Sequence, residues 1–291
     1  MNTNSLLRFL CQTYPFRRAR GRLRSFAMRH IGGVTLGADQ FGNRLLLNLD
    51  SLMDCLLYLD GANEVPAMNE LNRWAQGAPC DTFIDIGANI GCFTLFFAQQ
   101  PKIQHIHAFE PDPGNHAQLV TNIWLNELHR KVQPYAIALS SESGTAEFHR
   151  PRNRQADEFG KYNMGTSGLD RYPKRHDGSE KVEVSKRRLD DVLQFNGKAI
   201  AIKIDVEGHE LSVLKGMQEL LRNNDCGLMM EVWGHDPENC RAVSELLTGL
   251  GYTRAAKDIE PDTHFYVKTA GAEAPASATA SERQVAASRG L

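Results

Sequence analysis

The chain has 291 residues and lacks any long apolar run. A helix that spans a bilayer needs roughly 20 consecutive apolar residues, and the apolar run from Phe9 to Cys11 is too short for the core of a secretory signal. The six cysteines are scattered, without a CxxC pair or a Cys/His cluster at zinc spacing. These absences argue against an integral membrane protein and a zinc module. They predict reduced cysteines and a cytoplasmic location.

Acidic residues are missing from the first 38 positions, which contain seven arginines. The rest of the chain has 26 basic and 35 acidic residues, so the positive charge is local. We assign residues 1–48 to a basic arm and accessory segment. Such an arm could make peripheral contact with an anionic membrane or a membrane-associated substrate. The alternatives are a solvated helix that docks on the domain and an organellar transit peptide.

Two later segments have few large apolar residues. In residues 269–291 the large aliphatic side chains are Val285 and Leu291, which predicts a disordered tail. Residues 150–180 form a polar connection of a length typical of lids and binding loops, so we predict a substrate loop. Its positive charge suggests an acidic, phosphate-bearing or lipid-linked acceptor. The basic residues are Arg150, Arg152, Arg154, Lys161, Arg171, Lys174 and Arg175.

Strand-like and helix-like segments alternate from residue 78 onward, which predicts an α/β fold with a mostly parallel sheet. Two closing stretches, 251–256 and 263–268, are expected to form an antiparallel edge. The domain is expected to cover residues 49–268. The predicted core strands are 82–87, 103–109, 131–139, 199–206 and 226–233, with a short strand at 145–149 and helices at 92–100, 115–128, after 206, and 237–250.

The dinucleotide fingerprint GxGxxG is absent, and a different glycine-rich turn, DIGANIG, follows the first strand. Gly87 and Gly91 permit unusual backbone angles and let main-chain N–H groups approach a ligand. Glu110 stands at the end of the second strand, where a carboxylate can accept both hydroxyls of a ribose. The two features together predict a nucleoside-containing ligand. The D-x-G-x-N-x-G spacing resembles the first motif of S-adenosylmethionine-dependent methyltransferases.

A second cluster, KIDVEGHE, ends a strand whose other residues are apolar. Buried charges are unfavourable unless they are paired or used, and ligands of open α/β sheets bind outside the carboxyl ends of the strands. Strand alternation places Lys203, Asp205 and Glu207 on one side. His209 follows in the first turn of a helix. Glu210, beside it, has a structural explanation because the helix dipole favours an acid there.

The motifs DIGANIG, FEP, NMGTSG, LDD, KIDVEGHE and EVW together resemble the FkbM family of methyltransferases over roughly residues 50–268. This resemblance implies a Rossmann-like class I methyltransferase fold with a seven-stranded sheet, helices on both faces and an antiparallel edge strand. It implies S-adenosylmethionine as methyl donor and O-methylation of a sugar, glycan or secondary metabolite. The expected cofactor residues are Asp85, Gly87, Asn89, Gly91, Glu110, Asp112 and Ala138. The expected acceptor residues are Arg154, Asn163, Ser167 and Glu231.

Methyl transfer to a hydroxyl needs an in-line approach and a base that takes the proton. His209 is a candidate because imidazole titrates near neutrality, and Asp205 could act as base or orient the imidazole. Lys203 and Glu207 complete the expected catalytic set. Mg²⁺ could bind hard oxygen donors at this edge but is not expected, because Asp190 or Asp191 suits the start of a helix equally well. The donors considered are Asp190, Asp191, Asp205 and Glu231.

Other functions stay open at this point. A nicotinamide-dependent oxidoreductase would retain the acid at Glu110 but would leave KIDVEGHE unexplained. A non-catalytic module that binds S-adenosylmethionine is the alternative outside the enzymes. A nucleic-acid partner is not expected, because the body of the chain is acidic and lacks the (N/D)PP(Y/F) motif of base-methylating enzymes. The sequence does not indicate the oligomeric state.

Overall fold

The computed structural model describes residues 3–13, 17–150, 159, 161, 167–169, 180–255, 259 and 262–268, with the backbone alone at 17–20. Arg154, Asn163 and the tail 269–291 lie outside these residues. The N-terminal part consists of helices and one hairpin. Its elements are α1 (Thr3–Thr13), α2 (Arg17–His30), β1 (Val34–Ala38), β2 (Arg44–Asn48), α3 (Leu52–Asp60) and α4 (Val65–Gly77).

The first two helices dock on the rest of the fold through an apolar core. Leu7 and Cys11 of α1 and Ala27 and Met28 of α2 are buried in this core, together with residues of β2 and α3. Leu95, from beyond the glycine turn, belongs to the same core. The basic segment is therefore joined to the domain by packed side chains.

The central sheet has seven strands in the order β5-β4-β3-β10-β11-β13-β12. Pairing is parallel from β5 to β11, whereas β13 is antiparallel to both of its neighbours, β11 and β12. The predicted antiparallel edge is confirmed, with the antiparallel strand β13 second from the edge. The strands are β3 (Cys80–Ile86), β4 (His105–Phe109), β5 (Val132–Tyr135), β10 (Ala199–Ile204), β11 (Asp225–Glu231), β12 (Tyr252–Arg254) and β13 (Thr263–Lys268).

Helices cover both faces of this sheet because successive strand residues point to opposite sides. Ile84 and Ile202 belong to a core with α7, α8 and α9, whereas Phe83 and Ala201 belong to a core with α4, α5 and α6. The predicted α/β architecture is thus confirmed. The helices are α5 (Cys92–Ala98), α6 (Pro113–Leu125), α7 (Glu210–Lys215), α8 (Gln218–Asn223) and α9 (Pro237–Gly249).

The helix predicted after β10 is two helices, since α7 ends at Lys215 and α8 begins at Gln218. Gly216 lies at this break, where a Cβ would stand 2.0 Å from the carbonyl oxygen of Ser140. The close approach to another backbone explains the glycine at this position.

A second, four-stranded sheet was missed by sequence reasoning. Its strands are β6 (Ala138–Leu139), β7 (Gly144–Arg150), β8 (Gly168–Leu169) and β9 (Glu180–Arg187), in the order β6-β9-β7-β8. The single strand predicted at 131–139 is wrong, because β5 stays in the large sheet and β6 joins the small one. Arg150 and Glu180 are cross-strand partners in β7 and β9. The predicted substrate loop is therefore the connection between these two strands, and it contains β8.

Among the residues described, no helix combines the length and apolar character needed to cross a bilayer.

Candidate active site

The glycine turn between β3 and α5 has left-handed backbone at Gly87 (φ 78°), Asn89 (φ 52°) and Gly91 (φ 98°). The N–H groups of Gly87 and Ala88 both donate to the carbonyl of Phe109 in β4, at 3.0 and 2.9 Å. A Cβ on Gly87 would stand 1.8 Å from the carbonyl oxygen of Asp205. The turn is thus held between the ends of β4 and β10, and only glycine fits at its first position.

Glu110 connects this turn to the end of β4. Its carboxylate accepts the N–H groups of Asn89 and Asp112, each at 2.8 Å. Burial raises the pKa of Glu110 to about 8, although these two N–H groups act in the opposite direction. Each carboxylate oxygen retains acceptor capacity, because an ionised oxygen offers more than one lone pair. Glu110 can therefore accept ribose hydroxyls while it holds the turn.

The other predicted cofactor residues have different surroundings. Ala138 lines the cavity described below, but Asp85, Gly91 and Asp112 do not. Asp112 caps α6 by accepting the N–H groups of Gly114 and Asn115 and forms an ion pair with Arg150, whose Nε lies 2.5 Å away. The cofactor role of these three residues stays a prediction.

Asp85 lies beneath the turn and is fully buried. Its Oδ2 accepts a hydrogen bond from Thr94 at 2.6 Å, and its Oδ1 has no hydrogen-bond partner among the described residues. Burial raises the pKa of this carboxyl, while Lys203 acts against the shift. The geometry gives Asp85 a place in the support of the turn.

A cavity of about 360 Å³ opens over the carboxyl ends of β3, β4, β10 and β11. Its volume falls in the range of roughly 300–1,000 Å³ that is usual for small-molecule sites. It lies where strand order reverses between β3 and β10, as expected for an open α/β sheet. Three further elements form part of its wall, although the sequence did not connect them with the site: α3, the α3–α4 turn and the small sheet. Their lining residues include Met53, Leu57, Glu64, Phe148 and Leu169.

Three carboxylates meet at one end of this cavity. Glu64, Asp205 and Glu231 each place an oxygen within 4.8 Å of the others. Asp205 follows β10 and Glu231 ends β11, so neighbouring strands bring them together. Glu64 comes from the turn before α4, with a left-handed φ of 53°. Sequence reasoning missed Glu64, because nothing near it in the chain marks a site.

Lys203 connects the carboxylates to the glycine turn. Its Nζ lies 3.1 Å from Asp205 Oδ2 and donates to the carbonyl of Gly87 at 2.8 Å. Burial opposes the charge, but the carboxylates of Asp205 and Asp85 outweigh it and raise the pKa of Lys203. A cation bound in this way orients Asp205 and is not available as a base.

Glu231 has a strongly raised pKa within this cluster. Burial, followed by the nearby charges of Asp205 and Glu64, raises the pKa of Glu231 to about 7. A carboxyl of this kind can take up a proton near neutral pH. The sequence predicted Glu231 as an acceptor residue, and its environment also suits acid–base chemistry.

His209 lines the same cavity at the start of α7. Its Nε2 lies 3.0 Å from the hydroxyl oxygen of Ser140, which the sequence did not single out. Glu207 also lines the cavity, but not by strand alternation, because β10 ends at Ile204 and Glu207 has a φ of 53°. Glu210 has the expected structural role and accepts the N–H of Gly208 at 2.8 Å.

The described part of the predicted substrate loop contacts both the cavity and the N-terminal segment. Ser167 lines the cavity, and its buried hydroxyl has no hydrogen-bond partner among the residues described. Lys161 is buried and donates to the carbonyls of Ile31 and Leu49, at 2.9 and 2.7 Å. Arg150, at the start of the connection, is bound to Asp112, so both basic residues of the described part contact other parts of the fold. Neither lines the cavity.

Of the four metal donors considered from the sequence, Asp205 and Glu231 are brought together with Glu64, whereas Asp190 and Asp191 have other partners. Asp190 accepts the N–H groups of Glu219 and Leu220 at the start of α8, at 3.1 and 3.0 Å. Asp191 accepts a hydrogen bond from the hydroxyl of Ser143. Glu64, Asp205 and Glu231 could hold a cation, but Lys203 already supplies a positive charge beside them.

The cavity suits a nucleoside ligand without a phosphate. Glu110 could accept the hydroxyls of a ribose, and Gly87 and Asn89 of the turn line the same cavity. Six acidic residues line the cavity, and those that are ionised would repel a pyrophosphate, while Lys203 is already paired; the acids are Asp54, Glu64, Glu110, Asp205, Glu207 and Glu231. S-adenosylmethionine, whose sulfonium is cationic, therefore fits these residues better than a dinucleotide.

Comparison with known proteins supports this interpretation. The family described as the methyltransferase FkbM domain matches residues 85–254. Methyltransferase sdnD of Sordaria araneosa is 32% identical over 63% of this chain and 79% of that protein. The 31-O-demethyl-FK506 methyltransferase FkbM of Streptomyces tacrolimicus is 31% identical over 64% and 78%. The hexuronic acid methyltransferase AglP of Haloferax volcanii is 29% identical over 64% and 70%. The chain belongs to the FkbM family of S-adenosylmethionine-dependent methyltransferases.

Proposed function

We propose that the protein methylates a hydroxyl group of a sugar, glycan or secondary-metabolite acceptor. The observation that carries this proposal is a single cavity lined by the glycine turn and Glu110, at the ends of β3 and β4, and by the carboxylates of Asp205 and Glu231, at the ends of β10 and β11. The names of two relatives support the acceptor class, since one refers to an FK506 derivative and the other to a hexuronic acid.

The cofactor end binds and orients the donor. Glu110 accepts the ribose hydroxyls, and Gly87 and Asn89 allow main-chain approach. Ala138 forms part of the apolar wall. When bound, S-adenosylmethionine supplies a methyl group on a sulfonium, so this chain needs no covalent intermediate. The task left to the protein is to position the acceptor oxygen and to remove its proton.

The acceptor end supplies the base, and we assign this role to Glu231. A base works best when its pKa is close to the operating pH, and the pKa of Glu231 is raised to about 7. Glu231 would take the proton of the acceptor hydroxyl when that oxygen accepts the methyl group and the sulfur leaves with its bonding electrons. Asp205, fixed by Lys203 at 3.1 Å, orients the hydroxyl. His209 is the second candidate base, because it lines the same cavity.

The alternatives make different predictions. Family membership leaves no support for a nicotinamide-dependent oxidoreductase. A non-catalytic module would bind the cofactor equally well but would not depend on Glu231. Mg²⁺ has no part in the proposed step, since a protein base removes the proton.

Calorimetric titration with S-adenosylhomocysteine and with NAD⁺, followed by methyl transfer from labelled S-adenosylmethionine to a panel of glycans and macrolides, tests the proposal. We expect binding of S-adenosylhomocysteine alone, weakened in Glu110→Gln and retained in Glu231→Gln. Transfer should require Glu231. Glu142→Gln is the matched control, because Glu142 is an exposed residue outside the cavity. Binding of NAD⁺ in place of S-adenosylhomocysteine, or equal turnover in Glu231→Gln, would refute the assignment.

A further inference from the structure

Large apolar side chains are exposed mainly in one short part of the chain. Within the described residues there are six such side chains, and five of them belong to α1, α2 and β1. Trp124 on α6 is the exception. The five are Leu6, Phe9, Phe26, Val34 and Leu36, with exposed fractions of 44, 55, 51, 68 and 61%. Several exposed apolar side chains within one short segment indicate a site of contact with a membrane or another protein.

The same part of the chain carries charge of one sign. Residues 1–38 contain seven arginines and no acidic residue, whereas the remainder of the chain is acidic overall. The exposed apolar side chains and the unbalanced arginines thus coincide in sequence. Such a combination is typical of helices that lie in the interface of an anionic bilayer.

The two helices show how this surface is arranged. In α1, Leu7 and Cys11 are buried, and Leu6 and Phe9 are exposed. Successive residues of an α-helix are about 100° apart around its axis, so Phe9 lies on the side opposite Leu7 and Cys11. The inner face is therefore already used by the core, and the outer face remains for a partner.

In α2 the exposed face combines an aromatic ring with cations. Ala27 and Met28 are buried, whereas Phe26 is exposed together with Arg22 and Arg29. These arginines stand four residues before and three residues after Phe26, so all three share one side of the helix. Arg29 also lies over the ring of Phe159, with 5.7 Å from its guanidinium carbon to the ring centroid.

We propose that α1, α2 and β1 form a docking surface for an anionic lipid bilayer. Leu6, Phe9 and Phe26 would enter the boundary between headgroups and acyl chains, and the exposed Arg22 and Arg29 would contact lipid phosphates. Arg8 and Arg24 are bound within the fold, to the carbonyl of Ala38 and to Asp60. With 11 and 14 residues, α1 and α2 are too short to span a bilayer and would lie in its plane. The inference is independent of methyl transfer, although a docked enzyme could reach a lipid-linked acceptor.

A bilayer fits this surface better than a soluble protein does. Protein interfaces usually combine an apolar centre with a polar rim of mixed character. Here no acidic residue occurs over 38 positions, and Asp60, which contacts α2 from outside this stretch, is paired with Arg24. The charge of the segment therefore suits an anionic plane. The packed inner faces of α1 and α2 would hold the domain close to that plane.

Co-sedimentation of the full chain with phosphatidylcholine vesicles, with and without phosphatidylglycerol, tests the proposal. We expect binding to the anionic vesicles alone, falling as salt is raised. The double variant Phe9→Ser, Phe26→Ser should bind at least tenfold more weakly, because it removes two apolar anchors. Arg22→Gln should bind about fivefold more weakly, as expected for one charge near the surface.

The matched control is Trp124→Ser, which removes an exposed aromatic residue from another part of the surface. It should bind vesicles like the unmodified protein. All variants should retain the affinity for S-adenosylhomocysteine, which reports an intact fold. Absence of binding to anionic vesicles would overturn the proposal. Equal loss of vesicle binding in Trp124→Ser and in the double variant would also overturn it. Binding of this surface to a soluble acidic protein, without binding to anionic vesicles, would have the same consequence.

Discussion

The two ends of the cavity are built in different ways. At the ends of β3 and β4, positions are set by backbone geometry, with left-handed Gly87 and Gly91 and N–H groups that donate to Phe109 and Glu110. At the ends of β10 and β11, positions are set by side-chain charge. A change at the first end should alter shape and binding. A change at the second should alter chemistry and leave the shape intact.

The two ends are not fully independent, because Lys203 contacts both of them. It bonds the carbonyl of Gly87 and pairs with Asp205. The following predictions compare substitutions at the two ends through cofactor binding or turnover.

The largest effect is expected for Gly87→Ala. The new Cβ would stand 1.8 Å from the carbonyl oxygen of Asp205, and the φ of 78° is unfavourable for alanine. We expect loss of S-adenosylhomocysteine binding in calorimetry and a clear fall in melting temperature. Gly77→Ala is the control, since a Cβ there meets nothing within 4 Å. Normal binding by Gly87→Ala would show that the turn is not fixed by sterics.

Glu231→Gln should reduce kcat by about 10²- to 10⁴-fold, as expected for loss of a positioned base. Binding of S-adenosylhomocysteine should stay within about twofold, because Glu231 lies at the other end of the cavity. In the unmodified enzyme, kcat/KM should rise with pH through about 7, where Glu231 loses its proton. If kcat/KM of Glu231→Gln also rose with pH through about 7, the rise would belong to the ionisation of another group.

Glu110→Gln should weaken S-adenosylhomocysteine binding by about a hundredfold above pH 8, since two hydrogen bonds to a charged acceptor are lost. Below that pH the difference should shrink, because the pKa of Glu110 is raised to about 8 and the carboxyl becomes protonated. Affinity in the unmodified protein should therefore increase as pH rises towards 8. A pH-independent affinity would contradict this ionisation.

The same shift affects stability in a defined direction. Burial raises the pKa of Glu110 above its value in the unfolded chain, so ionisation disfavours the folded state. Its contribution to the free energy of unfolding is fully present below the ordinary glutamate pKa and is lost as pH rises through about 8. Denaturant titrations over this range should show the loss in the unmodified protein and a smaller one in Glu110→Gln.

The smallest effect is expected for His209→Asn. If Glu231 is the base, removal of the imidazole should reduce kcat less than tenfold, and its main consequence should be loss of the contact with Ser140. Ser140→Ala should then resemble His209→Asn. A loss above 10²-fold in His209→Asn, with little effect of Ser140→Ala, would assign proton removal to the imidazole.

The sequence predicted cavity residues that follow a buried strand better than those that reach the cavity by other routes. DIGANIG and Glu110 are each marked by their place after a buried strand, so local pattern was sufficient. The cluster at Asp205 and His209 was predicted for the same reason. Glu64 and Ser140 were not. Glu64 reaches the cavity, and Ser140 reaches His209, through long-range packing of the residues next to α4 and β6 that no local pattern records.

Strand β9 shows a second limit of the sequence. Its residues EKVEVSKR are mostly charged and exposed, and Val184 is the buried member that packs with Phe148. A strand with one apolar face in a small sheet has a weak alternating pattern, so the sequence analysis predicted no strand at residues 181–187. Asp190 was considered as a metal donor for a related reason, since a carboxylate that caps a helix is indistinguishable in sequence from one that binds a cation.

The close contact between Gly87 and Asp205 also bears on how the protein folds. Lys203 and Gly87, which flank this contact, are 116 positions apart, and β3 and β10 must pair before the carbonyl of Asp205 reaches the turn. Contacts over such distances form slowly, because a long loop must close first. A chain that has completed only the segment through β5 would possess the whole glycine turn and Glu110 but no competent site. Cofactor capture thus becomes a late event in folding, and bound cofactor would stabilise the finished state alone.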